Sequence, residues 1–308
     1  MTRKFLIGID LGGTNLKIAL LDLNYRIISK FFLSTKTFKK KELLIKAIEF
    51  CVNRIINDNK LKKGSILGVG LGVPGPTDAK KGIVHFFPNI PGWKEVGLKR
   101  ILEREVCLPV FLDNDAKVMA LAEHKIGSAK GYENALCLTL GTGVGGGIII
   151  GGKLYRGVSN AAGEFGHMPI NEKGPSCPCG GIACLESYVG NKKILFEAKQ
   201  KFSREISLEQ LSELAKKQDK RALDIWNKVG ERLGIALAGM VNVLNLDAII
   251  IGGGVSDAGE ALFEKIRKTI FKRAMSVQAK DVKVLKAKLG PDAGLIGAAI
   301  LVRENAKD

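Results

Sequence analysis

Four side chains of the kind that bind soft metal ions lie close together near the middle of the chain. They are His167, Cys177, Cys179 and Cys184. An imidazole and three thiolates make the ligand set of a closed tetrahedral zinc site, and the glycines and prolines between them form a loop that a metal could hold in place. The C-x-C spacing is not the commonest one for zinc fingers, and free loop thiols are the alternative. We predict structural zinc, and because four protein ligands leave no open position, the pattern argues against catalytic zinc.

Three glycine-rich segments have the composition of turns that lie against a ligand. The first combines a carboxylate, backbone N–H groups that an anion can approach and a threonine hydroxyl; Asp10 could hold magnesium through water, and a plain hairpin turn is the alternative. The second has five glycines in seven residues, where a hairpin needs one or two. Three such segments in one α/β chain favour nucleotide binding, and since none fits the GxxxxGK[ST] loop, a Walker-type ATPase is disfavoured. The segments comprise Asp10, Gly12, Gly13, Thr14 and Asn15; Gly141, Thr142, Gly143, Gly145 and Gly146; and Gly252, Gly253 and Gly254.

Acidic side chains stand at two further places. Asp113, Asn114 and Asp115 lie where a short strand meets a helix, the position at which α/β folds present side chains to a ligand. Local pattern favours a helix N-cap there, yet a carboxylate that accepts a proton from a hydroxyl is what phosphoryl transfer to an alcohol requires. Glu164 and Glu186 bracket the histidine and cysteines, so folding of that loop on a metal would bring both near the histidine, and such acceptors suit sugar hydroxyls. Surface glutamates beside a loop are the alternative.

The elements that must position these residues alternate between strand and helix. Both halves of the chain begin with a strand, a glycine turn that carries a threonine and a returning strand, which indicates a weak internal duplication. The alternation predicts the α/β class, with two similar lobes and a cleft between them. Strand patterns cover 5–10, 15–22, 25–34, 66–73, 110–113, 135–140, 148–150 and 248–251, and helix patterns cover 41–57, 98–104, 115–126, 188–202, 208–216 and 222–244.

Composition excludes several classes of protein. The chain has 308 residues, of which 46% are hydrophobic, and a formal net charge of +17, as expected for one large or two medium folded domains. The lysines are scattered over helix faces without interleaved aromatic residues, which favours solvated surfaces over a nucleic-acid site. The uncharged stretch 135–152 carries seven glycines and suits a membrane helix badly. No export signal follows the N-terminus, so we expect a cytoplasmic protein.

Taken together, these motifs resemble the ROK family (repressor, open reading frame, kinase), and within it the bacterial-type glucokinases. The resemblance covers essentially the whole chain and implies an actin-like (ribonuclease H-like) ATPase fold that closes over ATP and a hexose. The implied lobes are 1–113, joined by the C-terminal helix at about 293–308, and 114–292, which carries the zinc loop. The motifs are, in order, 10–15, 72–76, Pro88-Asn89 with Trp93, 114–116, 141–147, 164–167, 177–180 and 184–186.

The resemblance also implies a role for each matching residue. Asp115 is similar to the general base that takes the proton from the sugar 6-hydroxyl. The first two glycine segments match phosphate loops that bind ATP with Mg2+, and the third matches the adenosine side. His167 serves both the sugar and the structural Zn2+, for which the three cysteines are the other ligands. The positions that match sugar contacts are Gly75, Asn89, Asn114, Asp115, Glu164, His167 and Glu186.

Two departures from the family pattern and several alternatives stay open. Lys117 stands where the family commonly has Asn, and Ala183 replaces a glycine usual before the third cysteine. An N-acetylmannosamine kinase is the first alternative, followed by fructose or allose kinases, because pocket shape decides among sugars. A sugar-sensing repressor is the non-enzyme alternative, although Asp10 leaves no room for a preceding helix-turn-helix. We expect hexose and ATP as small-molecule partners, no nucleic acid, no membrane, and a homodimer or homotetramer.

Overall fold

The computed structural model describes residues 4–12, 15–35, 38, 40–87, 90 and 92–306. Strands and helices alternate within these ranges, which confirms the predicted α/β class. The strands are β1 Phe5–Leu11, β2 Asn15–Leu21, β3 Ile27–Ser34, β4 Ile66–Val73, β5 Thr77–Asp78, β6 Ile83–Phe86, β7 Lys94–Val96, β8 Val110–Asn114, β9 Ala135–Leu140, β10 Val144–Ile150, β11 Lys153–Tyr155, β12 Ala248–Gly252 and β13 Lys283–Lys286. The helices are α1 Lys41–Asp58, α2 Leu98–Val106, α3 Asp115–Ile126, α4 Glu186–Val189, α5 Asn191–Phe202, α6 Leu208–Lys216, α7 Lys220–Leu244, α8 Glu260–Arg273, α9 Ser276–Asp281 and α10 Ala293–Asn305.

The chain forms two compact units. Unit 1 comprises Met1–Lys125, Arg156–Ala162 and Pro291–Asp308, and unit 2 comprises Ile126–Tyr155 and Gly163–Gly290. Residues 114–125 are in unit 1, whereas the sequence prediction assigned them to the second lobe. The lobe boundary at 113/114 stays a prediction.

Unit 1 is built on a sheet with the strand order β3-β2-β1-β4-β8. Its first three strands are antiparallel, and β4 and β8 run parallel to β1. Helix α10 packs on the sheet so closely that a Cβ at Gly8 or Gly70 would overlap the carbonyl oxygens of Leu295 and Ala298. Because strands covered on both faces have no solvent side, β1 and β4 are continuous apolar runs rather than alternating ones. The small antiparallel sheet β5-β6-β7 also belongs to this unit.

Unit 2 repeats the same order as β11-β10-β9-β12-β13. Here too the first three strands are antiparallel, and β12 and β13 run parallel to β9. Helices α5 to α8 supply its core around the fully buried Trp226. The equal strand order extends the weak duplication seen in the sequence to the whole sheet of each unit.

Two boundaries differ from the sequence patterns. The predicted helix 188–202 is interrupted at Gly190, so that α4 and α5 are separate. The segment 141–147, predicted as a turn, is a turn only as far as Gly143, because β10 begins at Val144 and pairs with β9. Glycines fit inside this strand since a Cβ at Gly146 would lie 2.7 Å from the carbonyl oxygen of Gly163. In the described residues, no helix is long and apolar enough to cross a bilayer.

Candidate active site

The first glycine segment of unit 1 begins at the end of β1. Asp10 Oδ2 accepts a hydrogen bond from Lys17 Nζ on β2 at 3.1 Å, and the same ammonium donates to the Pro291 carbonyl at 3.1 Å. A Cβ at Gly294 of α10 would lie 2.7 Å from Asp10 Cγ, so the helix start is in contact with this carboxylate. Sequence patterns missed Lys17, although a lysine seven residues on in the paired strand is a signal for such a contact.

The turn after Asp10 is only partly described. Gly12 N donates to Asn15 O at 2.8 Å, which joins the end of β1 to the start of β2. Gly13 and Thr14, which we predicted to bind phosphate, and Asn89, predicted to contact sugar, lie outside the described residues.

Asn114 and Asp115 stand at the junction of β8 and α3. Asn114 Oδ1 accepts from the backbone N–H groups of Ala116 at 3.0 Å and Lys117 at 3.4 Å, so Asn114 caps α3. Its Nδ2 donates to the carbonyl of Gly75 at 3.1 Å. The capping alternative therefore holds for Asn114, while Asp115 is the first residue of α3 and its Oδ1 accepts from Ala116 N at 2.8 Å. The helix cap and the candidate base are therefore two neighbouring residues: Asn114 caps α3, and Asp115 supplies the carboxylate.

Asp113, just before this junction, is fully buried and paired with a cation. Its Oδ2 accepts from Arg156 Nε at 2.8 Å, and its Oδ1 accepts from Asn114 N at 2.8 Å. A buried carboxylate is costly unless it is paired and hydrogen-bonded, and Arg156 satisfies both conditions. Arg156 was not predicted as the partner of Asp113, because the two residues are distant in sequence and no periodic pattern connects them.

Lys117, the first departure from the family pattern, is almost fully buried at 2% exposure. Its ammonium donates to the carbonyl of Asn160, whose Nδ2 donates to Asp78 Oδ1 at 3.1 Å. The backbone N–H of Lys81 holds the pKa of the Asp78 carboxyl below its usual value. Lys117 therefore connects the start of α3 to the segment 156–162, which belongs to unit 1 although its chain neighbours belong to unit 2.

In unit 2 the second and third glycine segments meet at the carboxyl ends of β9 and β12, which are parallel neighbours. The turn closes through Gly141 N donating to Gly143 O at 2.9 Å. Gly253 has φ +83°, and a Cβ there would overlap the backbone of Leu140 at the end of β9. The carboxyl ends of parallel strands are where open α/β sheets bind ligands. The structure thus brings both predicted nucleotide segments of this unit to one edge.

Glu186, the first residue of α4, lies against the second glycine segment. Its Oε2 accepts from Val144 N at 2.8 Å, and a Cβ at Gly143 would lie 2.6 Å from that oxygen. Asn191 N, at the start of α5, donates to Gly141 O at 3.0 Å. Neither contact was predicted from the sequence.

The four predicted metal ligands come together in unit 2. Their ligand atoms all lie within 4.8 Å of one another. Cys177 Sγ is 3.7 Å from His167 Nδ1, and Cys179 Sγ is 3.7 Å from Cys184 Sγ. A tetrahedron with metal–sulfur bonds of about 2.3 Å has edges of about 3.8 Å, so the cluster has the size of a closed zinc site. His167 Nε2, the other ring nitrogen, is 4.0 Å from Glu164 Oε2.

The thiols of the cluster differ in pKa because their surroundings differ. Burial and the neighbouring thiols raise the pKa of Cys184 to about 12, whereas the backbone N–H of Gly181 lowers the pKa of Cys179. A divalent cation would favour the thiolate at every position. Ala183, the second departure, has φ +56°. This left-handed conformation explains why a glycine is usual there, and the chain adopts the same turn with alanine.

Comparison with known proteins places the chain in a family. The model of the ROK family matches residues 6–305. The chain belongs to the ROK family. This ROK protein is 34% identical to a glucokinase of Halalkalibacterium halodurans, over 99% of this chain and 96% of that protein. It is also 33% identical to a xylose repressor of Caldicellulosiruptor bescii, over 96% of this chain and 77% of the repressor.

A solved structure gives a functional comparison. The ROK family glucokinase of Streptomyces griseus, in complex with glucose and AMPPNP, matches with a TM-score of 0.85 and 34% identity, over 98% of this chain and 100% of that one. The predicted actin-like fold of the ROK kinases is thereby confirmed for this protein.

Proposed function

We propose that this ROK protein is a glucokinase that transfers the γ-phosphoryl group of ATP to the 6-hydroxyl of glucose. The observation that carries the proposal is its whole-length similarity to a glucokinase whose structure holds glucose and an ATP analogue. The site geometry supports it, because Asp115 begins α3 beside a capping Asn114 and two glycine segments share one sheet edge in unit 2.

In this reaction Asp115 is the general base. Its carboxylate accepts the proton of the sugar 6-hydroxyl as the oxygen bonds to the γ-phosphorus, and the bond from phosphorus to the bridging oxygen breaks to release ADP. Magnesium bound to ATP neutralises phosphate charge, and positioning supplies most of the catalysis. We assign sugar contacts to Gly75, Asn89, Asn114, Glu164, His167 and Glu186. We assign nucleotide contacts to Asp10, Gly12, Gly13, Thr14, Asn15, Gly141, Thr142, Gly143, Gly145, Gly146 and 252–254.

For the metal cluster we propose zinc as a structural ion. His167, Cys177, Cys179 and Cys184 would hold it, and their spacing supports four-coordinate binding. The zinc would fix the loop that carries Glu164 and Glu186 and would itself do no chemistry. The cytoplasmic location, the oligomeric state and the lack of a nucleic-acid partner stay predictions.

The first test is ADP release from Mg-ATP with glucose, mannose, N-acetylmannosamine, N-acetylglucosamine, fructose and allose. We expect glucose to be preferred, and turnover of an N-acetylated sugar alone would replace the assigned substrate. Turnover with none of them would favour the sugar sensor, which the similarity to a xylose repressor keeps as the second candidate.

Asp115→Asn tests the base. We expect kcat to fall about 10²- to 10⁴-fold with glucose affinity retained, because the amide cannot accept the proton. Asp58→Asn, a change on the exposed face of α1, is the matched control and should leave kcat unchanged. An Asp115→Asn enzyme with near-normal kcat would exclude this residue as the base.

Metal analysis tests the cluster. We expect about one zinc per chain, the content of one closed site. Cys179→Ser should lose the metal and lower the melting temperature, because zinc binding stabilises the fold that holds it. Cys107→Ser, a change at an exposed cysteine outside the cluster, is the control. Metal-free protein that stays fully active and stable would contradict a structural zinc.

A further inference from the structure

Glu186 is a proposed sugar contact, and its side chain also contacts the glycine turn 141–144. Oε2 accepts from Val144 N at 2.8 Å, at the residue where β10 begins. A charged acceptor makes a stronger bond with a backbone N–H than a neutral one does. Within the described residues, Oε1 makes no hydrogen bond, so one oxygen holds the turn while the other is available to a ligand.

The same short segment also holds the other end of the turn. Asn191 N donates to Gly141 O at 3.0 Å. Gly190 makes this approach possible, since a Cβ there would lie 2.9 Å from Glu186 O and 3.3 Å from Thr142 O. The turn is thus fixed at both ends by residues 186–191.

The segment is continuous with the metal cluster. Cys184 O accepts from Ser187 N at 3.0 Å, and Leu185 N donates to Met168 O at 2.9 Å, one residue after His167. Within unit 2, therefore, a metal ligand and the contacts to the glycine turn share one piece of backbone only a few residues long.

We propose that Glu186 is a positioning residue for the nucleotide, which sets the backbone of the turn 141–144, and that metal in the His167 cluster raises nucleotide affinity through the segment 184–191. This inference rests on the nucleotide-binding part of the proposed function, which makes the turn a phosphate loop, and not on phosphoryl transfer to a sugar. It predicts that Mg-ADP affinity depends on Glu186 and on the metal even when no sugar is present.

Calorimetric titration of the full-length protein with Mg-ADP, without sugar, tests the role of Glu186. Glu186→Ala leaves Val144 N–H unpaired and frees the turn, so we expect the Kd for ADP to rise by about 10-fold, within the upper limit of about 100-fold set by the loss of one hydrogen bond to a charged group. Glu186→Gln keeps an oxygen that can accept from Val144 N, so its Kd for ADP should stay within about 3-fold of the parent while glucose binding weakens. Glu164→Ala, a change at a proposed sugar contact outside the segment 184–191, should weaken glucose binding and leave ADP binding unchanged.

Hydrogen exchange at Val144, measured without sugar, reports directly on the hydrogen bond that Glu186 makes to the turn. We expect faster exchange in Glu186→Ala and near-parent exchange in Glu186→Gln, at unchanged zinc content. Normal ADP affinity and normal exchange in Glu186→Ala would overturn the positioning role, as would equal losses in the Ala and Gln variants.

Removal of the metal tests the coupling. Protein from which a chelator has removed the metal should bind ADP more weakly, and addition of zinc should restore its ADP affinity. Metal-free protein with the ADP affinity of the parent would overturn the proposed link between metal and nucleotide. Wild-type protein that binds Mg-ADP but phosphorylates none of the sugars would refute the proposed function and leave this inference intact. Wild-type protein that does not bind Mg-ADP would refute the inference itself.

Discussion

The two units share one strand order but hold their candidate site segments by different means. In unit 1 charged side chains do so: Lys17 contacts Asp10, and Arg156 contacts the buried Asp113. In unit 2 the glycine turn is held by backbone groups and one carboxylate, Glu186, next to a cluster of metal ligands. The shared strand order therefore places the loops at equivalent positions in the two sheets, whereas the side chains that hold those loops differ between the units.

The two units also differ in what their helices pack against at glycines. In unit 1, α10 lies against the sheet at glycines on two strands, and the helix is apolar on almost every side. In unit 2 the helices α7 and α8 approach each other at glycines, where a Cβ at Gly230 of α7 would lie 2.9 Å from Lys265 Cβ of α8. The backbone contact of α10 with Gly8 and Gly70 offers less freedom to adjust than the contact of Gly230 with the Lys265 side chain.

The largest effect should come from Gly70→Ala. Its Cβ would overlap the Ala298 carbonyl, and backbone cannot yield as a side chain can, so we expect unit 1 to lose at least about 3 kcal/mol of unfolding free energy. Trp93 and Trp226 lie in different units, so single-tryptophan variants report the unfolding of each unit in denaturant. A loss below about 1 kcal/mol, the size of an average point mutation, would contradict the close packing of α10.

Gly239→Ala is the matched control in unit 2. This glycine lies inside α7 with open space around its Cβ position. We expect stabilisation of about 0.5 to 1 kcal/mol, because alanine is the better helix former. The opposite signs of the two changes would show that glycine is required at the sheet of unit 1 and tolerated at this helix of unit 2.

The residues that sequence analysis predicted well are those whose signal is local. The bounds 115–126 of α3 follow from its apolar spacing, and the metal cluster follows from four ligand types in one loop. Lys17 and Arg156 were missed because their contacts join separate elements. The glycine turn 141–147 was predicted too long because strand pairing overrides the low strand propensity of glycine.

An intermediate effect should come from Arg156→Ala, which leaves the buried Asp113 carboxylate without its cation. We expect unit 1 to lose about 2 to 4 kcal/mol, because an uncompensated buried charge costs more than the pair contributes. Asp113→Asn in the Arg156→Ala background should recover part of the loss, and a double variant no better than Arg156→Ala would argue against the charge as the cause. Denaturant unfolding followed at Trp93 measures both.

The smallest effect should come from Lys30→Ala. Lys30 Nζ lies 2.7 Å from Asp292 Oδ2 and joins the edge strand β3 to the start of α10, but the side chains are 51% and 30% exposed. Exposed pairs contribute about 0 to 1 kcal/mol, and salt screens them. Unit 2 has an equivalent surface pair, Lys286 and Asp257 at 2.6 Å, and Lys286→Ala should cost as little. If both variants lose the same small amount of unfolding free energy and the loss vanishes in high salt, the two units differ in their buried contacts and not in their surface ion pairs. A loss above about 2 kcal/mol for Lys30→Ala alone, beyond the range of exposed pairs, would show that unit 1 depends on charge at its surface as well.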